Sequence, residues 1–465
     1  MSKAQNNPLP QHPQLKAAID LLEAWIEAQA AYSELPGMSM GIILDQDLIW
    51  SRGFGYGDRD KKTPARPDTI YRVASLTKLF TNTAIVQLRD QGALQLDDPV
   101  ARHLPWFALR NPFPDAPEIT IRHLLTHTAG LPREAAFPYW TDFQFPSREQ
   151  LLESLPDQEL VYPPETCFKY SNLGLALAGE IISSTAGLPY GDYIHQHILA
   201  PLEMHSTSVV LPAAHKNRLA TGYSRYLPGH ERRVEPAVDT GALAAAGNLS
   251  STVEDMARFA ALQFSSAPVG GRQILKASSL REMHRVHWLF PNWEGGLGLG
   301  FMVFRQPQRT LIGHSGQLPG YRTLMLLSPA EKLGLVIMTN ATDGNPHFYA
   351  NQAFQLLGKA LGDPSPRPPM PFDPDWHRYA GKYRSLFADI QILVLNERLV
   401  LVNPTEIKPE GAMYEMIPTG PHSFRLEGED GIGPRGEPVF FELGPKGAVS
   451  RLKIGENYLL PHSEY

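Results

Sequence analysis

A chain of 465 residues has room for two or three domains and for a large buried core. Its 43% hydrophobic and 19% charged residues are the make-up of a globular protein, and a net charge of −6 over that length gives no electrostatic pull toward nucleic acid or an anionic membrane. A single cysteine, Cys167, excludes an internal disulfide and any cysteine-based metal cluster, which suits a reducing compartment.

The N-terminal segment is polar, carries Pro8 and Pro10, and lacks the apolar stretch of a signal peptide. No later run approaches the roughly 18 apolar residues needed to span a bilayer. The expected location is therefore the cytoplasm, with no membrane partner. Residues 15–31 place Leu15, Ile19, Leu22 and Ile26 at helical spacing and predict an amphipathic helix. Residues 37–44 and 48–55 predict two strands joined by Asp45-Gln46-Asp47. A helix of about four to five turns is expected to start at Ser75 and stop at Gly92, with Leu76, Leu79, Phe80, Ala84 and Leu88 on its apolar side.

From residue 97 to about 290 helical patterns alternate with proline-rich loops, a mostly helical insertion. Within it, Ser251 and Glu254 stand at capping-box spacing. Strand patterns return at 298–304, 310–312, 323–327 and 333–339, followed by a helix over 348–361. A sheet built from both ends of this region, interrupted by helices, is the simplest arrangement. Residues 363–375 are a proline-rich linker, because proline supplies no amide donor and fixes its own φ. Beyond it short strands at 390–395, 399–402, 423–426, 439–443 and 450–454, punctuated by turn residues, predict a small all-β domain over 376–465.

A serine hydroxyl needs a base within hydrogen-bond reach to act as a nucleophile at neutral pH. Ser75-Leu-Thr-Lys78 offers one, since positions i and i+3 share a helix face, and a serine at a helix start faces the positive end of the macrodipole. Chance supplies about one Ser-x-x-Lys in a chain of this length, and a capping serine followed by a solvated lysine explains the spacing equally well. Tyr170-Ser-Asn172, where a loop passes into an apolar helix, and His314-Ser-Gly316, beside a strand, decide against that bland reading.

Together the three motifs resemble those of the penicillin-binding-protein-like serine hydrolases related to class C β-lactamases: Ser-x-x-Lys, Tyr-x-Asn, and His-x-Gly where β-lactamases carry Lys-Thr-Gly. The segments at 120–132, 200–204 and 250–259 are similar too, and the resemblance covers about residues 15–362. It implies an α/β (α+β) fold of the β-lactamase/transpeptidase type, a mainly antiparallel sheet flanked by helices with a mostly helical subdomain, over residues 1–362. The C-terminal region resembles the lipocalin-like barrel appended to some members, with Tyr379-Ala-Gly-Lys-Tyr383 as its start and a role in limiting access or in assembly. By motif position Ser75 is the nucleophile. Tyr170, made a useful base by the Lys78 ammonium, or Lys78 itself with its affinity for a proton lowered by burial, takes the proton. Asn172 orients substrate and Lys78. His314 of the third motif is counted with the catalytic residues, and Ser315, Gly316 and Gln317 bind substrate, the Ser75 and Gln317 amides forming an oxyanion hole.

Histidine in place of lysine removes a permanent cation for a carboxylate-bearing substrate and favours the esterase and peptidase branch over β-lactamase. The expected activity is therefore a carboxylesterase acting on small or medium acyl groups through an acyl-enzyme. A peptidase or amidase with D-residue preference, an acyltransferase, a weak β-lactamase and a non-catalytic binding protein remain as alternatives. No metal or organic cofactor is called for; the partner is a small ester or short peptide, and a homo-oligomer is compatible with the sequence. His123 and His127, at i and i+4, lack the glutamate of His-Glu-x-x-His and are read as packing or capping residues. Gly313-His-Ser-Gly-Gln317 misses the last glycine of a nucleophile elbow, and Cys167 is read as a small buried hydrophobe. Tyr139, Trp140, Phe168, Trp288, Phe290 and Trp293 are candidates for lining an acyl pocket.

Overall fold

The computed structural model describes residues 13–265, 273–306, 309–362, 372–386, 388–428, 433–445 and 447–462. Two compact units emerge: one is Leu35–Pro346, the other takes the chain up to Glu34 and from His347 onward. Most of the proline-rich stretch at 363–375 lies outside the described residues.

The first unit is built on a nine-stranded antiparallel sheet in the order Thr63–Pro64, Asp47–Asp58, Gly37–Leu44, Leu333–Thr339, Tyr321–Ser328, Thr310–Leu318, Met302–Arg305, Gly295–Leu297, Trp288–Leu289. Gly37–Leu44 pairs with Leu333–Thr339 from Met38↔Thr339 to Leu44↔Leu333, so chain from both ends meets at the centre, as the strand pattern predicts. Both strands are buried along almost their whole length, which explains their continuous apolar runs. The stretch expected as one strand at 298–304 is split. Gly295–Leu297 and Met302–Arg305 form a hairpin, and Gly300 at φ +84 makes a turn that side-chain-bearing residues resist.

Helices cover the sheet and build the rest of the unit. Val253–Leu262 lies close enough to the central strand that a Cβ on Gly41 would meet Val253 Cγ1 at 2.6 Å. Phe259 of this helix stacks on Phe80 of the helix Thr77–Asp90 at 4.1 Å, which ties the second helix to the first. Thr252, not Ser251, caps Val253–Leu262, accepting from the Asp255 amide. Ser251 is committed elsewhere, because Ser250–Ser251 pairs as a strand with Tyr71–Arg72, directly before the Ser75 segment.

The second unit contains a closed barrel of eight antiparallel strands, running from Gly381–Arg384 to Asn457–Pro461. The alternation of inward and outward residues fills it with Tyr383, Ile392, Leu401, Met416, Phe424, Val439, Phe441 and Leu452. Tyr379 stacks on Phe441 at 4.2 Å. Asn396 and Glu397, at φ +52 and +56, make the tight turn between the second and third strands, the geometry that matches strand twist in two-residue hairpins. The strands Met413–Gly420 and Asn457–Pro461 add to those legible in the sequence. Helix Pro13–Tyr32 belongs to this unit through Trp25, whose Nε1 donates to Glu406 O at 2.7 Å. Helix Pro346–Gly362 is tied to it through Lys359 O, which accepts from Asn396 Nδ2 at 2.8 Å. Among the described residues no helix is long and apolar enough to cross a membrane, and no group of three or more histidine, cysteine, aspartate or glutamate side chains is placed to hold a metal ion.

Candidate active site

Ser75 does not open an α-helix directly. It lies in a single 3-10 turn, Ala74–Leu76, that feeds into Thr77–Asp90. Ala74 before it sits at φ +52, a left-handed conformation that costs a residue with a side chain about 1–2 kcal/mol. The turn is pinned from three sides. Thr77 Oγ1 donates to Ala74 O at 2.6 Å, Thr323 Oγ1 to Val73 O at 2.8 Å, and the Val73 amide to Leu249 O at 2.9 Å. Strain held by such bonds is characteristic of functional positions.

Two side chains converge on Ser75 Oγ. Lys78 Nζ, one helical turn on, stands 3.0 Å away, and Tyr170 OH stands 3.0 Å away from the loop before the helix Asn172–Ala186. Lys78 is 1% exposed. Its Nζ also donates to Asn172 Oδ1 at 2.8 Å and to Ala246 O at 2.7 Å. Those two oxygens only accept, so they claim two Nζ protons and leave the third tetrahedral direction for Ser75. Burial lowers the affinity of Lys78 for its proton, partly offset by the nearby Tyr170 and Glu134 charges and reinforced by Arg133.

The Tyr170 ring is held on its faces rather than its edge. His127 stacks on it at 4.3 Å and 28°, while Arg133 Cζ lies 4.9 Å from the ring centroid. His127 is itself at φ +55, its Nδ1 accepting from the Ser171 amide at 3.1 Å. Burial, with Lys78, His314 and Arg133 nearby, keeps this imidazole neutral far below its usual range. His123 plays the other expected part: its Nδ1 accepts from the Thr120 amide in a capping box, and its Nε2 meets Glu165 at 2.9 Å.

A cavity of about 590 Å³ opens on this cluster, and Ser75, Tyr170, Asn172, His314, Ser315, Gly316 and Gln317 all line it. Lys78 stands behind Ser75, outside the lining. The third motif reaches the serine because the strand Thr310–Leu318 is paired with Met302–Arg305 only as far as Gly313↔Met302, so from His314 onward that edge is available to the Ser75 turn. Gly316 allows the approach: a Cβ there would sit 2.1 Å from Val73 O and 2.4 Å from Thr323 Oγ1. His314 is 6% exposed, and its Nδ1 lies 2.6 Å from Ser315 O. A carbonyl only accepts, so Nδ1 carries the proton.

Sequence reasoning missed two charged residues at the heart of the cavity. Glu134 Oε1 accepts from Asn172 Nδ2 at 2.8 Å and its Oε2 accepts from Tyr139 OH at 2.5 Å, with Arg133 Nε 3.2 Å from Oε1. Neither residue lies in a periodic element or a motif; their only local cue is that they follow Pro132. Glu235 and Arg322 complete the charged lining. Of the aromatic candidates only Trp140 lines the cavity, joined by Phe145. Tyr139 is buried in bonding Glu134, Phe168 pairs with Phe290 at 5.5 Å, and Trp293 is 75% exposed. Cys167 is half-buried rather than buried.

Comparison with known proteins identifies the family. A family model described as beta-lactamase matches residues 22–369. Beta-lactamase-like protein 2 of Dictyostelium discoideum is 29% identical over 374 residues, 78% of this chain and 67% of that protein. The structure of an octameric penicillin-binding protein homologue from Pyrococcus abyssi superposes with a TM-score of 0.64 at 25% identity, covering 95% of this chain and 99% of the other. A beta-lactamase/D-alanine carboxypeptidase from Yersinia pestis, solved with citrate, gives 0.62 at 25% identity over 74% of this chain and 99% of its own. With three quarters of its length under the family model, the chain belongs to the β-lactamase family of serine hydrolases.

Proposed function

We propose that the protein is a carboxylesterase that transfers a small or medium acyl group to Ser75 and then to water. The observation that carries this reading is the position of Ser75 Oγ, 3.0 Å from both Lys78 Nζ and Tyr170 OH, on a cavity with one apolar side.

The Lys78–Tyr170 pair works as one base. It holds one proton fewer than its full complement, either as ammonium with phenolate or as amine with phenol, and the two forms interconvert across Ser75 Oγ. In acylation the pair takes the Oγ proton as Oγ bonds to the acyl carbon. The tetrahedral oxyanion is held by the backbone amides of Ser75 and Gln317. Collapse breaks the ester C–O bond, and the proton passes from the pair to the departing oxygen. In deacylation water enters, gives its proton to the pair as its oxygen bonds to the acyl carbon, and the proton returns to Oγ as the carboxylic acid leaves. Asn172 holds Lys78 in line throughout.

Trp140, Phe145, Leu243, Met302 and Leu318 give the cavity an apolar side suited to an acyl chain. A second reading, a peptidase, is favoured by the charged lining. Arg133, Glu134, Glu235 and Arg322 suit the ends of a short peptide, and the Yersinia relative is described as a D-alanine carboxypeptidase. Assembly into a homo-oligomer is proposed by analogy with the octameric Pyrococcus relative, to be checked by light scattering.

Hydrolysis of p-nitrophenyl butyrate with a Ser75 acyl adduct seen by mass spectrometry is the expected result, with Ser75→Ala inactive. Faster turnover of D-aminoacyl amides than of esters would put the peptidase first. Absence of Ser75 labelling by a fluorophosphonate, with no turnover in either series, would overturn both.

A further inference from the structure

Residues 132–134 and 170–172 are joined pair by pair. Ser171 Oγ donates to Pro132 O at 2.6 Å, the Asn172 amide donates to Arg133 O at 2.7 Å, and Asn172 Nδ2 donates to Glu134 Oε1. Tyr170, the remaining member of the second triplet, meets the first as well, since the Arg133 guanidinium lies over its ring. Arg133 is thereby fixed through its backbone, and its guanidinium, ion-paired through Nε with Glu134 Oε1 at 3.2 Å, lies over the phenol ring.

Five groups bear on that phenol and its partner lysine. Lys78 Nζ stands 5.0 Å from the ring centroid, His127 is neutral against the ring, His314 lies at 6.1 Å, and Glu134, in direct contact with Arg133 at 3.2 Å, opposes it with a negative charge. The Arg133 cation attracts a phenolate at Tyr170 and repels an ammonium at Lys78. Both effects favour the same outcome, the loss of one proton from the pair.

We propose that Arg133 is a positioning residue that keeps the Lys78–Tyr170 pair in its proton-accepting state at neutral pH. The inference rests on the reading of that pair as the base. Arg133 touches no reacting atom, and its influence is expected in the pH dependence of acylation rather than in substrate affinity. The repulsion of Lys78 by Arg133 acts in the same direction.

The experiment is the pH profile of kcat/KM for p-nitrophenyl butyrate between pH 5.5 and 8.5 in the full-length protein. For Arg133→Met the acid limb is expected to move up by about 0.5–1 pH unit, less than a buried cation would give because the guanidinium is partly solvated. Arg133→Lys, which keeps a charge on a shorter stem, is expected to restore at least about half of that displacement. A profile that superposes on the wild type, a drop that is the same at every pH, or an Arg133→Lys profile no better than Arg133→Met would each overturn the proposal. Tyr170→Phe separates the two layers. If Tyr170→Phe keeps the acid limb and the rate of the wild type, the base assignment itself fails. If it abolishes activity while Arg133→Met leaves the profile unmoved, only the role of Arg133 falls. Should Arg133→Met fail to fold, seen as loss of a cooperative melt, the Arg133→Lys profile measured against Arg133→Gln carries the same decision.

Discussion

Asn172 and Glu134 meet amide to carboxylate, Nδ2 of the asparagine donating to Oε1 of the glutamate at 2.8 Å. A carboxylate only accepts, so this bond fixes which end of the amide faces which neighbour and turns Oδ1 toward Lys78. Glu134→Leu removes the constraint and strands a buried NH2, worth about 1–3 kcal/mol, so kcat/KM is expected to fall about 10- to 100-fold. Glu134→Gln keeps an acceptor for Asn172 but removes a negative charge that helps Lys78 hold its proton. Its acid limb is expected to move to lower pH, opposite to Arg133→Met. Profiles of the two variants moving in the same direction would contradict this electrostatic account.

Gly316 is a point of close approach between the third motif and the Ser75 turn. A Cβ there would overlap Val73 O and Thr323 Oγ1, a hydroxyl that itself holds Val73 O. Gly316→Ala must therefore push the strand away from Ser75 or break that bond. A loss of about 2–4 kcal/mol in stability and of more than about 100-fold in kcat/KM is expected, from urea unfolding and ester turnover respectively. Near-normal activity would mean that the strand edge does not contribute to the oxyanion site.

His284 carries a pH dependence that is independent of the catalytic site. It is half-buried, bonded to Gln263 Oε1 at 3.0 Å and set edge-on to Phe301 at 5.0 Å, and loss of solvent around the ring pulls its affinity down to about pKa 4. In the unfolded chain the same imidazole protonates near pH 6.5. Between those values the unfolded state binds more protons than the folded one, so stability rises with pH. The contribution is complete above pH 6.5 and declines as pH falls from 6.5 toward 4, up to about 3 kcal/mol. Urea unfolding at pH 7.5 and 5.0 should show His284→Gln with a smaller difference between the two pH values than the wild type.

The three motifs that meet at the cavity were legible because each is local. Ser75 with Lys78, Tyr170 with Asn172, and His314 with Gly316 are separated by two or three residues, and each sits at a junction of loop and element that the sequence marks. Arg133 and Glu134 were not legible, since what places them at the cavity is their bonding to 170–172, which no periodicity records. The cap of Val253–Leu262 slipped by one residue for a related reason. Ser251 has capping chemistry, but pairing of Ser250–Ser251 with Tyr71–Arg72 takes it into a strand and leaves Thr252 at the junction. In the barrel, Met413–Gly420 alternates inward Tyr414 and Met416 with Met413, Glu415 and Ile417. Pro418, beside an irregular register, disguises it as a loop. The aromatic residues show the limit of composition: their number suggested a pocket, while packing sent Tyr139 inward, Trp293 outward and only Trp140 to the cavity.

Trp140 offers a direct probe of acyl specificity. It stands edge-on to Phe145 at 5.1 Å and 89°, and the two rings together wall one side of the cavity. If the acyl chain of an ester lies against this wall, Trp140→Ala opens space along it. Each methylene newly accommodated away from water is worth up to about 0.8 kcal/mol, or roughly fourfold in kcat/KM. The ratio of kcat/KM for p-nitrophenyl octanoate to that for acetate is therefore expected to rise by about tenfold or more in Trp140→Ala, with the acetate rate itself little changed. A ratio that stays constant while both rates fall would place the acyl chain elsewhere in the cavity and leave Trp140 as a scaffold for Tyr139 and Glu134.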